Sequence, residues 1–145
     1  MNKAISVDPG MYKCGLIIAD IKQKKVQKAE VIKSNQLLSY VKKIYQKDDK
    51  FQLLIGNGTS SQKYTNELRE FIPNLIIAEE KNSTYRAKER YFEISPLVGL
   101  KKFFPREIFI LNKNLDALAA LIIMEDYYNF KFEISELVST KTWRK

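Results

Sequence analysis

Three acids stand out by type and position: Asp8, Glu80 and Asp116. Asp8 closes the alternating run Ala4-Ile5-Ser6-Val7 and precedes the turn formers Pro9 and Gly10. Glu80 follows the apolar run Leu75-Ile76-Ile77-Ala78, and Asp116 falls in the first turn of a helical pattern. Carboxylate oxygens are hard ligands suited to Mg²⁺ or Mn²⁺. A set drawn from separate parts of a chain is what metal-assisted phosphodiester hydrolysis needs, with two cations about 3.5–4 Å apart activating a water and stabilising the leaving oxygen. Each acid alone has an ordinary role: turn residue, loop acid, or helix N-terminal acid opposite the macrodipole. Their joint placement is what points to chemistry. Glu79 is the alternative to Glu80, because neighbours on an extended chain face opposite ways.

The 145 residues fit one domain, expected over 1–130 with a basic tail over 131–145. With 45% hydrophobic and 29% charged residues, the chain can bury a core. Histidine is absent, which excludes His-based acid/base chemistry, Ser-His-Asp and Cys-His sites and nearly all zinc sites. The balance of 25 Lys and Arg against 17 Asp and Glu gives +8, which favours a polyanionic partner, nucleic acid above all. Cys14 is the lone cysteine, so no internal disulfide forms and a reducing, cytoplasmic setting is expected. No apolar run approaches the length of a membrane span.

The elements that must position these acids follow from periodicity. Strands are expected at Ala4–Val7, Cys14–Asp20 and Lys25–Ile32, with a hairpin turn around Lys22 and Gln23, the short connections indicating an antiparallel meander. Helical spacing runs from Asn35 to Tyr45, with Ser34 or Asn35 as its cap. Phe51–Ile55 and Leu75–Ala78 read as buried parallel strands, followed by helices over 61–71 and from about 83 or 84 to 92. The stretch from Ile94 to Arg106 is irregular. The last helix, capped by Asn114, places Leu115, Leu118, Ala119, Ile122 and Ile123 on one amphipathic face. The expected class is α/β: a mixed five-stranded sheet, three antiparallel strands then two parallel, flanked by helices. Ligands of parallel units sit off the carboxyl ends of the strands, where Asp8 and Glu80 fall.

Four segments carry a family resemblance. Ile5-Ser6-Val7-Asp8-Pro9-Gly10 with Gly15-Leu16 resembles the opening of RuvC-type Holliday-junction resolvases and YqgF-like proteins. Glu79-Glu80-Lys81-Asn82-Ser83-Thr84 is similar to the YqgF Asp-Glu-Arg-x-Ser/Thr-Thr segment, with Glu for Asp and Lys for Arg. Leu115-Asp116-Ala117-Leu118-Ala119-Ala120 resembles the start of the family's last helix. Gly56-Asn57-Gly58-Thr59 resembles the turn after the fourth strand, especially in the YqgF-like domain of Tex. The resemblance covers roughly residues 3 to 128 and implies an RNase H-like fold. It further implies a Mg²⁺- or Mn²⁺-dependent endonuclease acting on structured DNA, such as a Holliday junction, or on ribosomal RNA precursors. By motif position, Asp8, Glu80 and Asp116 become catalytic metal ligands.

Around them, Gly10, Thr59 and Ser83 are candidates to position phosphate. Lys13, Lys81, Arg86, Lys88, Arg90, Lys101 and Lys102 are candidates to bind nucleic acid. Lys101, Lys102 and Arg106 interleave with Phe103 and Phe104, which belong to the core or else stack on unpaired bases. Lys141, Arg144 and Lys145 with Trp143 read as a binding tail or a frayed terminus. Resolving a symmetric junction would require a homodimer. Two other readings compete: a catalytically silent nucleic-acid-binding module of the same fold, and an ATP-using actin/hexokinase-like protein, disfavoured because that group closes two domains around its nucleotide.

Overall fold

The computed structural model describes residues 2–58, 60–110 and 115–138. Five strands, β1 (Lys3–Asp8), β2 (Lys13–Asp20), β3 (Lys25–Lys33), β4 (Phe51–Gly56) and β5 (Ile76–Ala78), form one sheet in the order β3-β2-β1-β4-β5. β1 pairs antiparallel with β2 and β2 with β3, whereas β1–β4 and β4–β5 are parallel. This is the mixed sheet that the alternation of short connections and helical crossovers predicts.

The two-residue period of a strand decides which side chains meet which helices. Ile5 and Val7 of β1 join Cys14 and Leu16 of β2 and Leu53 and Ile55 of β4 on one face, packed with Leu37 and Val41 of α1 (Leu37–Lys47) and Leu68 of α2 (Ser61–Phe71). Ala4, Ile17, Ala19 and Leu54 look the other way, onto α3 (Ser83–Ile94) and α4 (Asp116–Tyr128). By the same parity Asp8, Gly15 and Gly56 belong to the α3/α4 side. That register makes the site possible.

Three local expectations are corrected. α1 begins at Leu37 after a 3-10 turn over Ser34–Gln36, and neither Ser34 nor Asn35 caps it. Ser34 is buried; its Oγ donates to the Gly10 carbonyl (2.7 Å) and its N–H to the Tyr12 carbonyl (2.9 Å), so it fastens the β1–β2 turn. α4 is not an amphipathic surface helix: every residue from Ala117 to Glu125 is buried. A helix apolar all round must be enclosed, and it lies between the sheet and α3. The segment after Lys131 is not free tail at its start, because Phe132 is buried and Val26 donates to the Glu133 carbonyl at the sheet edge. The Asn114 cap and the tail residues Lys141, Trp143, Arg144 and Lys145 lie outside the described residues. No helix among the described residues is long and apolar enough to cross a membrane.

Candidate active site

Because β1, β4 and β5 run parallel, their carboxyl ends meet at one edge of the sheet. Asp8 ends β1, Gly56 ends β4, and Glu80 follows β5 by two residues. Asp116 reaches the same place from the opposite direction, as the first residue of α4. Gly15 explains how. It is the register partner of Asp8 on β2, and a side chain there would overlap the Asp116 carbonyl and the Ala117 nitrogen. The bare backbone therefore lets the start of α4 settle beside Asp8. Ser6 fixes the helix from one turn further on, its buried Oγ donating to the Ala120 carbonyl at 2.7 Å.

Glu80 is held equally closely. Its N–H donates to Asn57 Oδ1 (3.0 Å), while the Asn57 N–H donates to the Ala78 carbonyl (2.9 Å). Its carboxylate lies over Gly56 and Gly58, and a Cβ on either would run into it. The turn Gly56-Asn57-Gly58 is thus a moulded seat for one carboxylate. Glu80 Oε1 is buried and, among the described residues, has no hydrogen-bond partner. Glu79 by contrast points to solvent and pairs with Lys81 at 2.9 Å, so Glu80 is the acid that faces Asp8.

Electrostatics follow from the crowding. The Asp8 carboxyl is pushed up to about 8, first by burial, then by the charge of Glu80, a hydrogen bond with Glu80, and the charge of Asp116. Acids forced together without a cation share protons instead of all ionising. Asp116 also forms an ion pair with Lys13, Nζ to Oδ2 at 3.3 Å.

The all-oxygen donor set and the unpartnered Glu80 oxygen fit a hard divalent cation. Among the described residues, however, no group of three or more acid, histidine or cysteine side chains is set to hold an ion as it stands. Asp8 and Glu80 form the tight pair, and the third acid is engaged by Lys13.

The remaining expected residues divide. Gly10 closes its turn, since a Cβ there would strike the Lys13 carbonyl oxygen. Ser83 is buried at the first turn of α3, and Thr59 lies outside the described residues. Arg90 is engaged in the structure: its half-buried side chain donates to Glu125 Oε1 at 2.9 Å and to the Phe132 carbonyl at 2.8 Å, and Glu125 also receives the Phe132 N–H. Arg86 is held bidentately by Asp126 at 2.5 and 2.7 Å. Lys81, Lys88, Lys101 and Lys102 are exposed. Phe103 and Phe104, favoured as core, are 83% and 57% exposed. Sequence reasoning did not single out the supporting role of Asn57, and the only signal for it was its place between two glycines after a buried strand.

The order and directions of the five strands, with helices on both faces, define an RNase H-like fold. Among solved structures, the chain is similar to T. thermophilus RuvC in complex with Holliday junction substrate, with 13% identity, a TM-score of 0.48, and coverage of 89% of this chain and 95% of that one. No family model matches the chain, and no curated protein matches it.

Proposed function

We propose that this protein is a divalent-metal-dependent endonuclease that hydrolyses phosphodiester bonds in structured nucleic acid, a four-way DNA junction or a ribosomal RNA precursor. The observation that carries this reading is the Asp8–Glu80 pair: two carboxyls pressed together at the strand ends, one with a buried, unpartnered oxygen over a glycine seat. Such an arrangement costs stability in the free protein, and a cation relieves it. Asp8 and Glu80 would hold the metal, Mg²⁺ or Mn²⁺, with Asp116 joining once Lys13 turns to a substrate phosphate. The bound metal supplies water activation and charge stabilisation at the leaving oxygen. Asn57 and Gly56 keep Glu80 in register, and Gly15 and Ser6 keep the start of α4 beside Asp8. The motifs around Asp8, Glu80 and Asp116 support a place in the YqgF/RuvC branch.

A second reading has its own support: the Lys13–Asp116 pair occupies the third acid, as suits a nucleic-acid-binding module that has lost turnover. Cleavage of labelled four-way junction, single-stranded DNA and precursor-like RNA, in Mg²⁺, Mn²⁺ and EDTA, separates the two. Asp8→Asn and Glu80→Gln are expected to lower metal-dependent cutting by more than about a hundredfold, since several kcal/mol of charge stabilisation go with them. Salt-sensitive binding without cutting of any substrate would leave the silent module.

A further inference from the structure

The chain between α3 and α4 departs from the rule that large apolar side chains go inside. Every residue from 98 to 108 is exposed, and Leu100 and Phe103 stand 79% and 83% in solvent, with Phe104 at 57%. The segment is nevertheless ordered. It forms 3-10 turns over Gly99–Phe103 and Arg106–Phe109, closed by Phe104 N–H to the Lys101 carbonyl and Ile108 N–H to the Pro105 carbonyl. It is anchored where the Arg106 guanidinium lies over the buried Phe92 ring at 4.3 Å, and again where Ile110 enters the core.

In a 3-10 turn, side chains three apart stand one above the other, so Leu100 and Phe103 form a single apolar face. Lys101, Lys102 and Arg106 are exposed in the same segment, with Lys101 Nζ 5.9 Å from the Phe109 ring. Among the described residues none of the three meets a carboxylate. Glu107 is the single acid in the stretch. A contiguous exposed apolar patch marks an interaction site, and its rim of uncompensated positive charge selects a polyanion. Aromatic faces among cations are what unpaired nucleotides need: the bases stack and the phosphates are neutralised. Intact duplex offers phosphates but no free base faces.

We propose that residues 98–108 form a base-stacking platform that grips an unpaired strand, with Phe103 and Phe104 under the bases and Lys101, Lys102 and Arg106 on the phosphates. The substrate class at the neighbouring acidic site is then nucleic acid with locally single-stranded character. This rests on the nucleic-acid reading above and goes beyond it. The placement suits the role, because the platform leads from the helix that starts after Glu80 to Asp116. Five residues separate Ile110, the platform's core anchor, from Asp116, which caps the distance between those two at about 20 Å.

The test is fluorescence anisotropy in EDTA on the full chain, so that cleavage does not enter. The probes are a labelled deoxythymidine oligomer, a duplex of equal length and an abasic oligomer. Phe103→Ala/Phe104→Ala should weaken binding of the thymidine oligomer by about tenfold or more and leave duplex binding unchanged. Phe103→Tyr/Phe104→Tyr, which keeps both rings, should restore it, and wild type should bind the abasic oligomer as weakly as the alanine variant binds the thymidine one. Unchanged thermal melting will show that the exposed substitutions leave the fold intact. Equal losses on duplex and single strand, or no loss on either, would overturn the platform. So would sedimentation in which the alanine variant becomes monomeric while binding stays intact, because the patch would then be a surface for a second copy. Single-strand binding that behaves as expected, with no cutting under any metal, would sink the endonuclease and leave the platform standing.

Discussion

Asp8→Asn should make the protein more stable, and the gain should depend on pH in one direction only. Folded, the Asp8 carboxyl is pushed from its ordinary 3.8 up to about 8 by burial and by Glu80 and Asp116. Between those values the unfolded chain has lost the proton and the folded one still holds it. The native state therefore binds more protons, and stability must fall as pH rises. Below about pH 4 Asp8 contributes no penalty; above about pH 8 the penalty is complete. At about 1.4 kcal/mol per pH unit the ceiling is on the order of 6 kcal/mol. Sharing of the proton with Glu80 and partial access to water reduce that to roughly 2–4 kcal/mol. Urea unfolding of wild type and Asp8→Asn in EDTA, from pH 4 to pH 9, measures it. The two curves should coincide at the acid end and separate steadily above pH 5, with Asn the more stable. Mg²⁺ should raise the wild-type curve at high pH and leave the Asn variant nearly unmoved. Parallel curves at all pH values, or a wild type that gains stability on going alkaline, would refute the crowded-carboxyl account.

Four further substitutions probe the supports. Arg90→Ala leaves Glu125 buried and unpaired between α3, α4 and Phe132, and a loss of about 3–5 kcal/mol is expected in the same assay; a loss below about 1 kcal/mol would mean the network is dispensable. Gly56→Ala intrudes on the Glu80 carboxylate and Gly15→Ala on the start of α4. Both should depress Mn²⁺ affinity, measured calorimetrically, about 10–100-fold, as disturbed supports of metal ligands do, and unchanged affinity would show that these glycines do not set the site. Lys13→Met releases Asp116 from an exposed ion pair worth about 0–1 kcal/mol. Mn²⁺ binding should tighten by up to about fivefold, and a weaker affinity would assign Lys13 a supporting role instead.

Much of this was legible in the chain. The first three strands, β4 and the helix at Ser61–Phe71 appear where period-2 and period-3.6 patterns place them, because those patterns record which face of each element meets the core; β5 is there too, but as an edge strand with Ile77 exposed rather than as a buried one. Asp8 and Glu80 could be picked out because strand ends are marked by local turn chemistry. Other features depended on what surrounds a residue. Glu79 and Glu80 are indistinguishable in sequence, and the Asn57 hydrogen bond and the glycine seat decide that Glu80 turns inward. Arg90 and Lys88 read alike as cations, yet Arg90 is half-buried because Glu125 and the Phe132 carbonyl await it across two other segments. Asp116 meets Asp8 only because Gly15, 101 residues away in the chain, leaves room for the helix. Phe103 and Phe104 look like core residues by composition but stand in solvent, since the α3/α4 side is already filled by α4 and by Phe92 and Ile110 from either end of their segment. Elements and the acids at their ends are local properties of the backbone and its periodicity, so the chain announces them without its fold. Which acids converge, which cations pair internally and which aromatics stay outside emerge only on folding, because each depends on a partner brought in from elsewhere in the chain.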